Sequence, residues 1–289
     1  MRTTITALAA LAVLSLATEG ALAKPPVWIA HGPHSTLVLF GSVHLLPRGL
    51  DWEPSALADA LGRADELWFE LPIDQATDQE AARLAVARGA LPAGDRLANH
   101  LNPDQQARLS RVAETLAIVP EALDRMRPWL AEVTLSLASD ERAGAMASQG
   151  VEPRVQEIAP PSVRRRALET ARQQIGYLAD AAPADQVASL DQTLHEIEER
   201  PGSYSQVVAE WMAGDLAGLD ADALAPLRVA SPTLYARLIT HRNQRWADAL
   251  GRRLARPGVT AVIVGMGHLV GPGGVPALLR ARGVKVDGP

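Results

Sequence analysis

The sequence predicts a mixed α/β fold, in which a largely parallel central sheet carries flanking helices and a large helical insertion at about 78–255. Residues 259–264 form a continuous, mostly β-branched run, which is typical of a strand buried on both faces. Two more apolar runs lie near the start of the chain, at 27–30 and 37–43. Much of the long segment between these runs and residues 259–264 has helical periodicity. Strand and helix units at both ends of the chain favour one α/β domain over two independent domains.

The first predicted elements are a hairpin, a helix and a short strand. Residues 27–30 and 37–43 are apolar and flank a Gly-Pro turn, so they predict two paired strands. Residues 54–63 predict a helix, because a proline starts the segment and two leucines follow at i and i+4. Residues 67–71 predict a short buried strand that a proline ends.

The remaining elements are predicted from helix-start signals and apolar spacing. A possible short strand at 163–168 interrupts the helices, and the buried strand at 259–264 precedes a helix over 275–282 and an edge strand over 284–286. Helices are predicted between 78 and 147 and at 170–200, 204–213 and 232–255.

Residues 1–23 resemble a cleavable export signal. Arg2 supplies the positive start, residues 5–17 are apolar, and a small-x-small pattern ends the segment. A retained membrane anchor is the alternative, but a spanning helix needs about 20 apolar residues. We therefore expect a mature single domain over 24–289, periplasmic or secreted, without a stable membrane span.

Composition narrows the function classes. The chain has 289 residues, a formal net charge of −5 and no cysteine. A nucleic-acid binder would normally be basic, so we expect no nucleic-acid partner. Without cysteine, a bound metal would need His, Asp and Glu ligands. The sequence also contains no Walker loop, no Gly-x-Ser-x-Gly elbow and no His-Glu-x-x-His helix.

Three polar residues follow predicted strands. His44 and His268 each end a Gly-x-x-His motif after an apolar run, and Glu70 ends a third strand. Strand carboxyl ends share one edge of a parallel sheet, where ligands bind. Two imidazoles and one carboxylate are a common ligand set for Zn²⁺ or another divalent transition metal. Each residue alone is more often a loop, capping or core residue, so the prediction depends on all three meeting.

The segment around Arg242 offers a second set of candidates. Arg242 and Trp246 would share one helix face, and Asn243 lies beside them. Arg242 would clamp a substrate carboxylate with Asn243 adding hydrogen bonds, or it would pack on Trp246 and pair with an acid.

The other histidines and the basic run at 164–166 are interpreted as solvated. Those histidines are His31, His34, His100 and His195.

Taken together, these motifs resemble the TraB/GumN family, which is related to the TIKI metalloproteases. The matching features include both Gly-x-x-His motifs, Glu70, the Arg-Asn-x-x-Trp helix at 242–246 and the Gly-rich turn before the last helix. A mid-chain Gly-x-Asp motif followed by Leu-Glu is matched by residues 150–152 and 168–169, with Glu152 in place of Asp. The resemblance covers almost the whole mature chain.

The resemblance implies an erythromycin-esterase or ChaN-like fold and a metal-dependent, peptidase-like site. It transfers site roles to His44, His268 and Glu70, and secondarily to Arg242 and Asn243. No role is assigned to Glu152.

The leading hypothesis is an exported metal-dependent hydrolase that cleaves a peptide or small-molecule substrate. His44 and His268 would hold a divalent ion such as Zn, Mn or Co, with Glu70 as a third ligand or general base. Arg242 would orient the substrate or stabilise an oxyanion. Alternatives are a periplasmic protein that binds haem, metal or a small ligand without turnover, a metal-free esterase-like or amidase-like hydrolase, and a purely structural or interaction role.

Overall fold

The computed structural model describes residues 24–289, so the predicted export signal at 1–23 lies outside the described residues. Within 24–289, eight strands form one six-stranded sheet and one small two-stranded sheet. In chain order the strands are β1 (Val27–His31), β2 (Ser35–Ser42), β3 (Leu46–Pro47), β4 (Glu66–Phe69), β5 (Ala145–Met146), β6 (Arg164–Ala167), β7 (Gly258–Gly265) and β8 (Lys285–Asp287).

The main sheet is mixed and largely parallel, as predicted. Its strand order is β6-β4-β7-β2-β1-β8. The pairs β2–β7, β4–β7 and β4–β6 are parallel, whereas β1 pairs antiparallel with β2 and with β8. The central strands β2 and β7 are almost entirely buried, because their apolar residues face packed helices on both sides. The parallel strands end at a common edge.

Helices occupy most of the chain between β4 and β7, and one further helix precedes β4 and another follows β7. They are α1 (Ser55–Arg63), α2 (Gln75–Gly89), α3 (Pro103–Thr115), α4 (Pro120–Leu123), α5 (Pro128–Arg142), α6 (Val151–Ile158), α7 (Ala171–Ala179), α8 (Pro183–Glu199), α9 (Ser203–Ala213), α10 (Leu216–Leu219), α11 (Ala225–Ala230), α12 (Pro232–Tyr235), α13 (His241–Leu254) and α14 (Val275–Ala281). Short 3-10 turns lie at Leu97–His100, Ala147–Gln149 and Met266–His268. Across 24–289, no helix combines the length and apolarity that a membrane crossing requires.

Two helical stretches depart from regular α geometry. Asp220–Leu224 and Ala236–Thr240 are π-helical, and each continues directly into or out of α-helix. The helix predicted over 232–255 is therefore three consecutive segments, and the second of them is π-helical. The helix predicted over 170–200 is two helices, because Pro183 starts a new one.

The predicted hairpin, the short strand near 163–168 and the edge strand at the end of the chain are confirmed. Because β6 joins the main sheet beside β4, the helical insertion is divided into two blocks. A large apolar core fills the space around the sheet, and a smaller core holds α3, α4, α5 and α8 together. The helical blocks thus pack both on the sheet edge and on each other.

Candidate active site

Four parallel strands end at one edge of the sheet, and a polar residue follows each of them. His44 follows β2, Glu70 follows β4, Glu169 follows β6 and His268 follows β7. The backbone N–H of Glu169 donates to the carbonyl of Glu70 at 2.9 Å, which extends the sheet pairing to these residues. The structure therefore brings the three sequence-predicted residues to one place and adds Glu169 to them.

His268 is held in a defined tautomer. Asn243 Nδ2 donates to the carbonyl of Gly273 at 2.8 Å, so its amide oxygen faces Nδ1 of His268 at 2.6 Å. Nδ1 therefore carries the proton and Nε2 keeps its lone pair. Burial lowers the pKa of His268 to about 3, outweighing the opposite effect of Glu70, so the ring is neutral near pH 7. Asn243 thus sets the orientation of a buried, neutral imidazole.

His44 is held by a carboxylate from helix α6. Nδ1 of His44 lies 2.6 Å from Oε1 of Glu152, and the Ser42 hydroxyl donates to the same oxygen at 2.6 Å. The charge of Glu152 raises the pKa of His44 to about 9. Gly150 permits this approach, because a Cβ there would collide with the His44 carbonyl. The ring itself remains 61% exposed at the mouth of the site.

Glu70 is buried and fully hydrogen-bonded. Its Oε1 accepts the backbone N–H of Gly265 at 2.7 Å, and its Oε2 accepts from Arg242 at 2.6 Å and from Gln174 at 3.3 Å. Burial alone would raise the pKa of Glu70, but the two histidines, the guanidinium and the Gly265 N–H lower it to about 2. Glu70 is therefore a carboxylate at any pH near neutrality.

Arg242 connects these groups from the start of helix α13. A guanidinium donates through three nitrogens, and all three nitrogens of Arg242 have acceptors. The acceptors are the carboxylates of Glu70 and Glu169, the carbonyl of Leu238 and Nε2 of His268 at 3.1 Å. The guanidinium also lies 4.7 Å from the Trp246 ring centroid. In the structure, Arg242 therefore packs on Trp246 and pairs with acidic side chains, which is the second of the two arrangements considered from the sequence.

Glu169 anchors Arg242. Its side chain is 2% exposed, and it accepts Arg242 Nε at 3.0 and 3.1 Å. It also accepts Trp246 Nε1 and the Tyr177 hydroxyl, each at 3.1 Å. Because a buried ion pair loses its hydration, these additional hydrogen bonds are needed to satisfy the carboxylate. Glu169 holds the guanidinium against Glu70 and His268.

The side chains of His44, Glu70 and His268 converge on Gly265. A Cβ at this position would lie 3.1 Å from Glu70 Oε1, 3.7 Å from Nε2 of His44 and 3.7 Å from Cδ2 of His268. The lack of a side chain therefore leaves a small open volume that all three groups border. This is a structural reason for glycine at the start of the second Gly-x-x-His motif.

These groups fit a divalent ion in kind. The neutral His268 has a lone pair on Nε2, whereas His44, whose pKa is about 9, would have to lose a proton before its Nε2 could bind an ion. Each histidine is fixed through Nδ1 by an oxygen acceptor, an arrangement that orients Nε2 in histidine metal sites. Among residues 24–289, however, no three His, Asp or Glu side chains stand close enough together to hold an ion. Arg242 also donates a hydrogen bond to the lone pair on Nε2 of His268. Metal uptake would therefore require that hydrogen bond to open and the ligands to draw together.

The convergence point opens into a cavity of about 630 Å³. Its polar end includes Ser42, His44, Glu70, Arg242 and His268, and the rest of its wall is largely apolar. This volume lies within the range of about 300–1,000 Å³ that is typical of small-molecule sites. The geometry is that of a pocket with convergent polar groups at one end.

The other polar candidates lie outside this cavity. His31 pairs with Asp287 at 2.7 Å, and His34 is exposed. The basic run at 164–166 is exposed on the edge strand β6. His100 and His195 contact surface carboxylates, Asp95 and Glu199.

Sequence reasoning missed several residues of the site. The sequence assigns no role to Glu152, although the Gly-x-acid motif that contains it marks its position in the site. Glu169 follows a strand as Glu70 does, and this position was its signal. Gln174 reaches Glu70 from α7 and Tyr177 reaches Glu169 from the same helix, and no local pattern marks either residue.

The fold and this site define an α/β protein whose candidate active site lies at the carboxyl edge of a mixed sheet and contains both Gly-x-x-His histidines. The sequence profile of the TraB/PrgY/gumN family matches residues 26–288, and the chain belongs to that family. The family resemblance predicted from the motifs is thereby confirmed.

Two curated proteins are similar to nearly the whole chain. "Uncharacterized protein YbaP" of Escherichia coli (strain K12) is 27% identical over 246 residues, which cover 84% of this chain and 87% of that protein. The protein of the same name from Shigella flexneri is 27% identical over 251 residues, covering 86% of this chain and 88% of that protein. No solved structure matches the chain.

Proposed function

We propose that the chain is an exported, metal-dependent hydrolase that cleaves a peptide bond. The observation that carries this proposal is the convergence of His44, Glu70 and His268 around Gly265. A hydrogen bond at Nδ1 fixes the orientation of each histidine ring. A fixed histidine pair and a buried carboxylate, beside a cavity of substrate size, are the components of a hydrolytic metal centre.

In this proposal Nε2 of His44 and Nε2 of His268 hold the ion, and Glu152 and Asn243 keep the two rings oriented. The bound ion would polarise the scissile carbonyl and lower the pKa of a water molecule. Arg242 keeps a positive charge beside the site, which stabilises negative charge as it develops there. Its hydrogen bonds to Glu70 and Glu169 fix the position of that charge.

The reaction is an addition of water to an amide. The water oxygen bonds to the carbonyl carbon, the C–N bond breaks, and a water proton ends on the departing amine. Glu70 has two roles open to it: it is the third ligand, or it takes the water proton first and passes it to the amine.

Metal content tests the proposal directly. Elemental mass spectrometry would be applied to protein over 24–289, purified without a histidine tag, after incubation with Zn²⁺, Mn²⁺ or Co²⁺. We expect near-stoichiometric metal in the wild type and loss of metal in His44→Ala and in His268→Ala. His100→Ala is the matched control, because His100 contacts a surface carboxylate outside the cavity. Absence of metal from the wild type would refute the metal centre.

Glu70→Gln separates the two roles of Glu70. Loss of metal and activity together identifies a ligand, whereas retained metal with lost activity identifies a general base. Activity would be followed as new amine groups released from a defined peptide mixture. The Glu70→Gln protein must also keep a cooperative unfolding transition, because the substitution weakens a buried ion pair.

A metal-free hydrolase is the second candidate. Arg242 already donates to both Glu70 and His268, so the polar end is electrostatically satisfied without an ion. In that case hydrolysis would survive exhaustive chelation, and His268→Ala would abolish it without any change in metal content. Loss of hydrolysis on chelation, with recovery on adding back one metal, excludes this candidate.

The export part of the proposal has its own test. Expression of the full chain in a bacterium, followed by fractionation and intact-mass measurement, should give a periplasmic or secreted product that begins near Lys24. A product of full mass in the cytoplasm would refute export.

A further inference from the structure

The cavity beside the candidate site has an extensive apolar wall that the hydrolytic groups do not use. Leu178 on α7 and Leu227 on α11 contribute to this wall. Its other apolar members come from α9, α10, the two π-helical segments and the loops after β2 and β7.

Both π-helical segments contribute to this wall. Ala223 and Leu224 lie in Asp220–Leu224, and Leu238 and Ile239 lie in Ala236–Thr240. A π segment adds a residue to a helical turn, and such segments occur frequently at functional sites. Here they place apolar side chains against a cavity whose other end is charged.

The few polar groups on the apolar side restrict what binds there. The Tyr204 hydroxyl already donates to the carbonyl of Leu45 at 3.0 Å. Asp140 also lines the cavity, and a carboxyl there repels an anionic group. An uncharged aliphatic or aromatic group avoids this repulsion and buries apolar area against the wall.

We propose that this apolar wall is a specificity pocket, which binds a bulky aliphatic or aromatic side chain next to the bond that is cleaved. The pocket opens directly onto His44, Glu70 and His268, so a side chain seated in it would hold an adjacent carbonyl at the polar end. This inference rests on the proposed hydrolase function for its catalytic part, whereas the binding part stands independently.

Binding is tested first, without any assumption about catalysis. The probe is N-phenyl-1-naphthylamine, an uncharged fluorophore whose emission rises in apolar surroundings. It would be displaced by the N-acetyl amides of glycine, leucine and phenylalanine. We expect the leucine and phenylalanine amides to act at concentrations about 10-fold to 100-fold lower than the glycine amide, because they bury a large side chain. Equal displacement by all three amides would overturn the inference.

Two wall variants locate the binding. Ala223→Trp fills part of the cavity from its edge and should weaken probe binding at least 10-fold. Ala221→Trp is the matched control, because Ala221 is exposed in the same π segment and does not line the cavity. Equal probe binding by the two variants contradicts the proposed location. Should Ala223→Trp lower the melting temperature by more than a few degrees, Leu178→Gln decides, and it should also weaken binding.

A peptide panel then separates failure of the pocket from failure of the proposed function. The panel varies one residue beside a fixed bond from glycine to leucine and phenylalanine. Cleavage with a preference for the large residues supports both proposals. Cleavage without any preference overturns the pocket. No cleavage, together with selective binding of the leucine and phenylalanine amides, supports the pocket and overturns the hydrolase.

Discussion

Glu132, on helix α5, is a buried acid whose surroundings disfavour its charge. Its Oε1 accepts the Ser189 hydroxyl at 2.7 Å and the Thr193 hydroxyl at 3.5 Å. Its Oε2 is buried and has no hydrogen-bond partner. Burial raises the pKa of Glu132 from its ordinary 4.5 to about 7, and the two hydroxyls only partly offset this effect. The helical block should therefore be less stable when this carboxyl is ionised.

The sign and the size follow from proton linkage. Between about pH 4.5 and pH 7 the folded protein keeps a proton on Glu132 that the unfolded chain has lost. The free energy of unfolding therefore falls as the pH rises through this window, and the full cost is present above about pH 7. Because each pKa unit corresponds to about 1.36 kcal/mol, the ionised carboxylate costs the folded state at most about 3 kcal/mol.

Glu132→Gln should remove this cost while keeping the shape of the side chain. The amide oxygen still accepts from Ser189, and the amide nitrogen takes the place of the unpaired Oε2. The unpaired amide nitrogen costs about as much as the unpaired Oε2 of the protonated wild-type acid, so this cost cancels between the two proteins. We therefore expect the variant to be more stable than the wild type by up to about 3 kcal/mol at pH 8. At pH 4 the two proteins should be equal within about 0.5 kcal/mol.

Urea unfolding followed by circular dichroism at pH 4, 6 and 8 measures this difference. Glu141→Gln is the matched control, because Glu141 lies on the same helix and is exposed. It should change the free energy of unfolding by less than about 0.5 kcal/mol at each pH. A Glu132→Gln protein with no gain at pH 8, or with the same gain at pH 4, would refute the reasoning.

Three further predictions concern the site itself. Gly265→Ala places a methyl group 3.1 Å from Glu70 Oε1. Metal content and hydrolysis should therefore fall at least 10-fold, while the melting temperature changes by only a few degrees. Unchanged metal content would contradict the convergence of the three side chains on this position. Asn243→Leu removes the acceptor of His268 Nδ1–H, and metal affinity measured by competition with a chromophoric chelator should fall about 10-fold to 100-fold. Glu169→Gln removes one buried charge partner of the Arg242 guanidinium. The free energy of unfolding, measured in urea, should fall by about 3 kcal/mol. A loss below about 0.5 kcal/mol would show that this ion pair contributes little to stability.

The sheet could be predicted because its signals are local. A β-branched run marks β7, and the Gly-Pro turn marks the hairpin of β1 and β2. The two-residue strands β3 and β5 have no periodicity to detect, and they pair across about 100 residues of chain. The π-helical segments also left no signal, because a one-residue change of helical register depends on tertiary packing rather than on composition.

The same distinction applies to the site. His44, Glu70 and His268 were predictable, because each follows a strand and parallel strands end together. Glu152 and Gln174 contact them from helices that lie more than 100 residues away in sequence. Helical periodicity shows which face of a helix is apolar, but it does not show where a polar residue on that helix will dock.

The strands place His44, Glu70 and His268 at the sheet edge, but helices outside the sheet orient all three. Helix α6 fixes His44, α13 fixes His268, and both α7 and α13 hydrogen-bond Glu70. Helix docking and site geometry are therefore coupled, since a shift of α13 would move the Asn243 acceptor and the Arg242 charge together. Substitutions that loosen α13 should impair the site before they unfold the sheet, because the sheet retains its own apolar core.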